Sequence, residues 1–384
     1  MSCCRAPLPP RGGAARLVHD DAGDPGAEPR LPIQPRTGER LWFLVPGDLA
    51  TPTGGYRYDR RIIEGLRGLG WSVEHRALDP SFPQPTPEAL DQTAALLAGI
   101  PDGEPVVDGL AFGALPRVAE RQGGRLRLIA LVHHPLWLET GLHARRAQAL
   151  HHSETRALAQ ARRIIVTSRR TARLLEDQGI RQERIRVVSP GVDPAAEARG
   201  SGGPDPCLLC VATLTPRKGH DVLLRALARL KALPWRLTCV GSLERDGAWS
   251  AAMARLSRDL GLGGRVRFTG AQEDQALREH YRKADLLVLP TRYEGYGMVA
   301  AEALARGLPV VASRTGALAE LVPPQAGILV PPDDIQALSE ALRLILEDPG
   351  LRRRLAAGSR AVGLALPGWP AAARAFSDAC RCCR

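Results

Sequence analysis

Aromatic residues are scarce in this sequence of 384 residues. Phe, Trp and Tyr make up only 4% of it, too few to build the stacking platforms on which single-stranded nucleic acids bind. The net charge of +11 comes from arginines spread over most predicted helices, which indicates a diffusely basic surface. We therefore expect no nucleic-acid partner, while a preference for phosphorylated substrates or for an anionic membrane surface stays open.

Long apolar runs are also missing. No stretch of about 18 consecutive apolar residues occurs, so a membrane-spanning helix is not expected. The N-terminal residues lack the apolar core of a secretory signal. From these two absences we expect a cytoplasmic protein, with peripheral contact at a membrane left open. The oligomeric state is not indicated by the sequence.

The eight cysteines do not follow a pattern typical of a metal site. Cys207 and Cys210 have C-x-x-C spacing, but both lie in one predicted strand, where residues three apart point to opposite faces. We interpret them as buried, small apolar residues. Cys380, Cys382 and Cys383 cluster near the C-terminus without histidines at matching spacing, so their role is left open.

Short apolar segments alternate with helical segments, which predicts an α/β protein with parallel sheets covered on both faces. A length of 384 residues favours two domains, and a small-residue stretch without periodicity separates two such series. We predict a disordered extension at 1–39, a doubly wound N-terminal domain at 40–193, a linker at 194–206, a doubly wound C-terminal domain at 207–365 and a terminal helix at 366–384.

The individual elements are predicted from the same periodicity. The strands are expected at 41–45, 105–107, 126–132, 164–167 and 185–188 in the first domain, and at 208–212, 236–240, 265–268, 286–289, 309–312 and 327–330 in the second. The clearest helices are expected at 60–69, 222–231 and 335–347.

The most informative segment is 291–304, which follows the apolar strand expected at 286–289. Its glycines, Gly295 and Gly297, let the backbone approach a ligand closely. The helix that begins near Met298 offers unpaired N–H groups and the positive end of its dipole, which suit a phosphate. Strand, glycine loop and helix in this order predict a ligand site.

Two glutamates in this segment, Glu294 and Glu302, have E-x7-E spacing. Beside a phosphate site, carboxylates can accept hydrogen bonds from sugar hydroxyls, although two exposed glutamates near a helix start are the other interpretation. With the segment 306–312 and Gly316, the spacing resembles the E-x7-E region of family 4 retaining glycosyltransferases, the glycosyl transferases group 1.

This resemblance implies the GT-B fold, in which two Rossmann-like domains face a central cleft and the helix at 366–384 crosses back to the first domain. It implies that Glu294 lies at the transferred sugar and that Glu302 holds the nucleotide ribose. It also implies donor contacts from the residues between them, namely Gly295, Tyr296, Gly297, Met298 and Val299.

Three other loops of the second domain follow predicted strands, where ligands bind in doubly wound sheets. Arg217 and Lys218 are similar to the R-x4-K-G segment that supplies cations to the donor diphosphate in this family. Thr213 stands where that segment usually has Arg, and we expect Arg217 to compensate. Gly241 and Gly270 are expected beside the base or ribose, with a simple tight turn as the alternative for Gly241.

In the first domain, Gly54 and Gly55 resemble the family's glycine loop after the first strand, which meets the donor phosphate across the cleft. The dinucleotide fingerprint G-x-G-x-x-G is absent there. His133 aligns with the histidine of the family's sugar site, and His134 is the alternative. The resemblance thus implies His133, Lys218 and Glu294 as catalytic residues.

The implied function is retaining transfer of a hexose from a UDP- or GDP-sugar to a sugar, lipid or small-molecule acceptor. No carboxylate nucleophile of the kind used in double displacement is evident, so same-face attack is implied. No Asp-x-Asp motif lies near these loops, and we expect no metal and no cofactor. The alternatives are a nucleotide-sugar epimerase or phosphorylase of the same fold, and a non-catalytic protein that binds nucleotide sugars or glycans.

Overall fold

The computed structural model describes residues 39–381. Within this range the chain forms two sheets of six strands each, and every strand pair is parallel. The α/β class with two Rossmann-like halves is therefore confirmed. Each helix in this range is too short or too polar to cross a lipid bilayer. The extension predicted at 1–39, except its last residue, lies outside the described residues, as do Cys382 and Cys383.

The first sheet has the strand order β2-β1-β3-β4-β5-β6. Its strands are β1 (Arg40–Pro46), β2 (Ser72–Leu78), β3 (Val106–Asp108), β4 (Ile129–Val132), β5 (Arg163–Val166) and β6 (Ile185–Val187). Because the chain leaves β1 for β2 on one side and returns to β3 on the other, the topological switch point lies between β1 and β3.

The second sheet has the strand order β12-β11-β10-β7-β8-β9. Its strands are β7 (Cys207–Val211), β8 (Arg236–Val240), β9 (Val266–Phe268), β10 (Leu286–Leu289), β11 (Val310–Ser313) and β12 (Gly327–Val330). Here the switch point lies between β7 and β10, so the loops that follow these two strands meet at the carboxyl edge of the sheet.

Helices cover both faces of each sheet, which explains the nearly continuous apolar runs of the central strands. The helices are α1 (Gly54–Gly68), α2 (Pro87–Gly99), α3 (Gly109–Phe112), α4 (Pro116–Gln122), α5 (Ala144–Gln160), α6 (Arg169–Asp177), α7 (His220–Ala228), α8 (Gly247–Asp259), α9 (Asp274–Lys283), α10 (Met298–Ala305), α11 (Leu318–Leu321), α12 (Ile335–Glu347), α13 (Pro349–Ala365) and α14 (Trp369–Arg381). Short 3₁₀ turns occur at Leu136–Leu138, Gln182–Arg184 and Pro216–Lys218.

Helix α14 packs against α1 and the first sheet, although it follows the second sheet in the chain. The rings of Phe43 and Phe376 are stacked with centroids 6.0 Å apart. The indole Nε1 of Trp71 donates a hydrogen bond of 3.0 Å to Ser377 Oγ. The last helix therefore belongs to the core of the first half.

The largest differences from the sequence predictions concern two elements. Strand β2 was not predicted, because its Glu, His and Arg residues interrupt the apolar pattern, and they are tolerated since β2 is an edge strand. Helix α1 begins at Gly54 rather than at residue 60. Thr53 caps it by accepting a hydrogen bond from the Tyr56 N–H, so the two glycines form its first turn.

Candidate active site

An ion pair between Lys218 and Glu294 lies at the switch point of the second sheet. Lys218 is in the loop after β7 and Glu294 is in the loop after the neighbouring strand β10. The Nζ atom of Lys218 is 2.6 Å from Oε2 of Glu294, and both side chains are mostly buried. Strand order alone thus brings together two residues that are 76 positions apart.

Burial and the neighbouring charges act in opposite directions on the two groups of this pair. Burial acts to raise the pKa of Glu294, but the charges of Lys218 and Arg217 outweigh it, and the pKa is lowered. Burial lowers the pKa of Lys218, although Glu294 acts in the opposite direction. A lysine in this position offers hydrogen-bond donors and positive charge to an anionic ligand.

The start of helix α10 lies beside the pair. Gly297 is the N-cap residue with φ +95°, a conformation that favours glycine, and no side chain within residues 39–381 caps this helix. The first N–H groups, from Met298 and Val299 onward, are therefore available to a ligand. Tyr296 is half-buried, and burial raises the pKa of its phenol to about 12.

Gly241 and Gly270 meet at a separate place along the same edge. They follow β8 and β9, and the Gly241 N–H donates a hydrogen bond of 3.0 Å to the Gly270 carbonyl. Gly241 also lies so close to the Ala212 carbonyl that a Cβ atom would overlap it. The two glycine loops form one surface beside the end of β7.

The first half of the chain contributes the opposite wall. Gly54, in the first turn of α1, faces the sulfur of Met298, and Gly55 lies against the ring of His133. Gly295 lies so close to the backbone carbonyl of His133 that a Cβ atom there would overlap it. The predicted residues of the two halves are thus in direct contact.

His133 is held by two buried carboxylates. Its Nε2 lies 2.9 Å from Oδ1 of Asp59, on α1, and 3.4 Å from Oδ2 of Asp108, the last residue of β3. Burial acts against the imidazolium, but the two carboxylates raise the pKa of His133 to about 10. Burial raises the pKa of Asp59 to about 6 despite the histidine. His133 is therefore a cation at neutral pH.

The neighbouring histidine, His134, differs from His133 in its protonation state. Burial, with the charges of Arg217 and Lys218, lowers the pKa of His134 to about 3, so its ring is neutral. The ring packs on Tyr293 with centroids 4.8 Å apart, and neither of its nitrogens has a hydrogen-bond partner within the described part of the chain. The two histidines left as alternatives by the sequence thus differ in charge and surroundings.

Arg217 connects the two halves at the rim. Its Nε donates a hydrogen bond of 3.0 Å to Glu139 of the first half, and its guanidinium also donates to the Tyr293 carbonyl at 3.1 Å. Arg217 also lies close enough to the pair of Lys218 and Glu294 for its charge to lower the pKa of Glu294, while its compensation for Thr213 stays a prediction.

Glu302 is buried on α10 with both carboxylate oxygens bonded to protein groups. Oε1 pairs with Arg57 of α1, and Oε2 accepts a hydrogen bond of 2.8 Å from the Tyr281 hydroxyl. Arg57 and Arg61 also pair with Asp193, before the predicted linker. Helix α1 therefore contacts both the second half and the connecting segment.

Several residues of this arrangement were not predicted from the sequence. Asp108 ends a strand, and its position alone could have identified it. Asp59 and Arg57 lie inside an amphipathic helix, where periodicity predicts burial but no partner. Asp59, Asp108 and His133 also offer three ligand atoms within 4.8 Å of one another, so a cation could be held there if His133 lost its proton.

Two doubly wound sheets with a charged cluster at each switch point define the class of the protein, a GT-B protein of two Rossmann-like halves. Family profiles agree: the one for glycosyl transferases group 1 matches residues 194–362, and the one for glycosyltransferase family 4 matches residues 103–196. The chain belongs to the family 4 type of the glycosyl transferases group 1, as the E-x7-E resemblance indicated.

Curated relatives and solved structures agree with this placement. The chain is 29% identical to an MMP alpha-(1->4)-mannosyltransferase of Mycolicibacterium hassiacum over 76% of this chain and 74% of that protein. It is 32% identical to a D-inositol 3-phosphate glycosyltransferase of Xylanimonas cellulosilytica over 59% of this chain and 58% of that protein. For other D-inositol 3-phosphate glycosyltransferases, the chain spans about half of the relative's length.

Among solved structures, sucrose-phosphate synthase from Thermosynechococcus elongatus superposes with a TM-score of 0.76 at 27% identity, covering 88% of this chain and 98% of that one. Anabaena HepE, solved in complex with UDP, has a TM-score of 0.68 at 19% identity, covering 88% of this chain and 98% of that one. The second likeness concerns the fold alone.

Proposed function

We propose that this protein is a retaining glycosyltransferase that moves a hexose from a UDP- or GDP-sugar to a sugar, lipid or small-molecule acceptor. The observation that carries the proposal is the ion pair of Lys218 and Glu294 at the switch point of the second sheet. The crevice beyond such a point is where doubly wound sheets bind nucleotides.

The leaving diphosphate is the group that this surface suits best. Lys218 and Arg217 supply two cations, and the uncapped start of α10 supplies backbone N–H groups. Positive groups fixed where negative charge develops stabilise a transition state without reorganisation. Because these cations are already built into the protein, we propose that the reaction does not require a metal ion.

The remaining donor contacts are proposed for residues beside this pair, on the second half of the chain and on the first half that faces it. Gly241 and Gly270 form a side-chain-free surface for the base or ribose. Gly54 and Gly55 approach the diphosphate from the first half, and Glu294 accepts hydrogen bonds from the transferred hexose. Glu302 exchanges its bond to Arg57 for hydrogen bonds donated by the ribose hydroxyls.

Retention by same-face attack is supported by the state of the carboxylates. In the described part of the site, Glu294 is paired with Lys218, and Asp59 and Asp108 are paired with His133. A cationic His133 cannot accept the acceptor's proton, so a donor phosphate oxygen is the proposed base. His133 instead donates a hydrogen bond that orients a substrate hydroxyl.

A nucleotide screen tests the donor assignment. Thermal unfolding is measured with UDP, GDP, ADP, CDP and dTDP, each with and without magnesium, and any hit is followed by calorimetry. Nucleotide at about 100 times its Kd stabilises by about 2.7 kcal/mol. We expect a selective shift that does not require magnesium and that is lost in Lys218→Ala. A shift that requires magnesium would overturn the proposed metal independence.

A product assay separates transfer from simple binding. The relatives named for mannosyl transfer and for an inositol phosphate make mannose donors and inositol-phosphate acceptors the first compounds to test. NMR of the product reads the anomeric configuration directly, and an inverted product would overturn the retaining assignment. Nucleotide binding without transfer to any acceptor would favour the non-catalytic alternative.

A further inference from the structure

A buried cluster of two cysteines and one histidine lies beneath the loop that carries Lys218. Cys210 is on β7, Cys239 is directly opposite on β8, and His220 is the first residue of α7. All three side chains are buried, with 0%, 1% and 1% of their surface exposed, respectively. Both thiols and the imidazole therefore meet between the sheet and the helix start.

The cluster has the dimensions of a metal site. The two Sγ atoms and one ring nitrogen all lie within 4.8 Å of one another, and Cys210 Sγ is 3.7 Å from Nε2 of His220. Around tetrahedral zinc, with bonds of about 2.0–2.3 Å, ligand atoms are separated by about 3.4–3.8 Å. Small movements of the three side chains would bring their ligand atoms to these separations and enclose an ion.

The surroundings of His220 offer a second observation. Its Nδ1 is buried and has no hydrogen-bond partner among the described residues, while Cys210 and Cys239 belong to an apolar core cluster. The Nε2 atom is in hydrogen-bond contact with Cys210 Sγ at 3.7 Å. A metal ion bound by both atoms would replace this weak contact with two coordination bonds.

We propose that Cys210, His220 and Cys239 bind a thiophilic divalent cation, Zn²⁺. Two thiolates and one neutral imidazole around Zn²⁺ have no net charge, which suits an apolar site, and soft thiolate ligands select zinc over magnesium or calcium. The set supplies three protein ligands, so the fourth position is left to a small ligand.

The ion would tie the start of α7 to β7 and β8. Lys218 precedes His220 by two residues, and the residue between them, Gly219, is packed against the Pro290 carbonyl with φ +68°. Fixing His220 therefore fixes the loop that presents Lys218 to the active site. This structural role of the ion does not depend on the proposed glycosyl transfer, and the metal content can be measured without any substrate.

Metal binding is measured on the full chain, in which Cys3, Cys4, Cys382 and Cys383 are first replaced by Ser to remove the thiols near the two ends of the sequence. The protein is unfolded, stripped with chelator and refolded with Zn²⁺, and bound metal is quantified by mass spectrometry. We expect about one zinc per chain, and an affinity at least about 100-fold lower in Cys239→Ser, since even loss of an outer hydrogen bond costs 10–100-fold. Cys207→Ser is the matched control, because this half-buried thiol is on the same strand but outside the cluster.

Cobalt substitution keeps the test decisive if the serine variants do not fold. Co²⁺ bound by two thiolates gives an intense sulfur-to-metal absorption in the parent protein, and Zn²⁺ should displace it. Absence of this band, or zinc binding no tighter than in Cys239→Ser, would overturn the proposal. Binding of Cu⁺ without Zn²⁺ would overturn the assignment of a divalent ion.

Discussion

The switch points of the two sheets have opposite arrangements of charge. In the first sheet one cation, His133, lies between two carboxylates, Asp59 and Asp108. In the second sheet one carboxylate, Glu294, is paired with Lys218 and lies near a further arginine. The two clusters face each other through the contact of Gly295 with the His133 carbonyl.

This difference indicates a division of labour. The second cluster combines two cations with the open N–H groups of α10 and suits the diphosphate of a donor, whereas the first has an excess of negative groups and would repel it. The imidazolium of the first cluster is fixed by its partners and suits hydrogen bonding to a neutral hydroxyl. The first two predictions below each change one member of one cluster, and the other two change contacts between the two halves of the chain.

The largest effect is expected from Lys218→Ala, which removes the cation of the second cluster. Loss of one preorganised group that stabilises developing charge lowers kcat by about 10²–10³. The buried Glu294 carboxylate also loses its partner, so nucleotide binding should weaken. Initial rates with the identified donor and calorimetry with its nucleotide check both effects.

Lys283→Ala is the control for this change. Lys283 is an exposed lysine paired with Glu279 on α9, outside both clusters. Its replacement should leave kcat unchanged, and circular dichroism of both variants should match the parent. A normal rate in Lys218→Ala would show that the phosphate assignment is wrong.

The second prediction concerns the first cluster and its pH dependence. The pKa of His133 is raised from 6.5 to about 10, so its stabilising contribution is complete below pH 6.5 and is lost as the pH rises through 10. Asp59→Asn keeps the shape but removes one charge, which lowers this pKa. We expect the variant to be less stable by about 1–3 kcal/mol at neutral pH.

Urea unfolding of the parent and of Asp59→Asn across this pH range checks the prediction. The difference in the free energy of unfolding should shrink from pH 7 toward pH 10, a range that lies above the pKa of about 6 of Asp59, the carboxyl that titrates in the parent alone. A difference that does not change with pH would mean that His133 is not an imidazolium in the folded protein.

A smaller effect is expected from breaking the connection between the halves. Arg57→Ala leaves the buried Glu302 with only the Tyr281 hydroxyl and should lower the free energy of unfolding by about 1–2 kcal/mol. Arg61→Ala, which removes a more exposed pair with Asp193, is the control and should cost about 0–1 kcal/mol. Equal losses of unfolding free energy in the two variants, measured in urea, would argue against a buried link between Arg57 and Glu302.

How far the sequence predicts this architecture depends on the kind of element. Lys218 and Glu294 were predicted because each follows a strand of the second sheet and resembles a segment of the family, and strand order makes such loops converge. Asp59 was missed because it is on a helix, and its contact with His133 depends on the tertiary packing of α1. Periodicity predicts which face of a helix is buried, but it does not predict which polar group a side chain on that face will contact.

The same distinction applies to the cysteines. Cys210 was interpreted as an apolar core residue from its strand alone, and its burial agrees. That Cys239 and His220 lie beside it depends on the register of β7 with β8 and on the position of α7. These are long-range properties, and no short motif in the chain encodes them.

The smallest effect is expected at the rim, from Glu139→Gln, which removes the charge that pairs with Arg217. Because Glu139 is nearly half exposed, the pair should contribute only about 0–1 kcal/mol to stability. Arg217 would still be held by the Tyr293 carbonyl at 3.1 Å, so its guanidinium keeps its place beside Lys218. We therefore expect kcat and the donor KM to stay close to the parent values. A large rise in the donor KM with an unchanged free energy of unfolding would instead mean that Glu139 holds the first half against the donor site. The roles of the two clusters would then be less separate than their charges suggest.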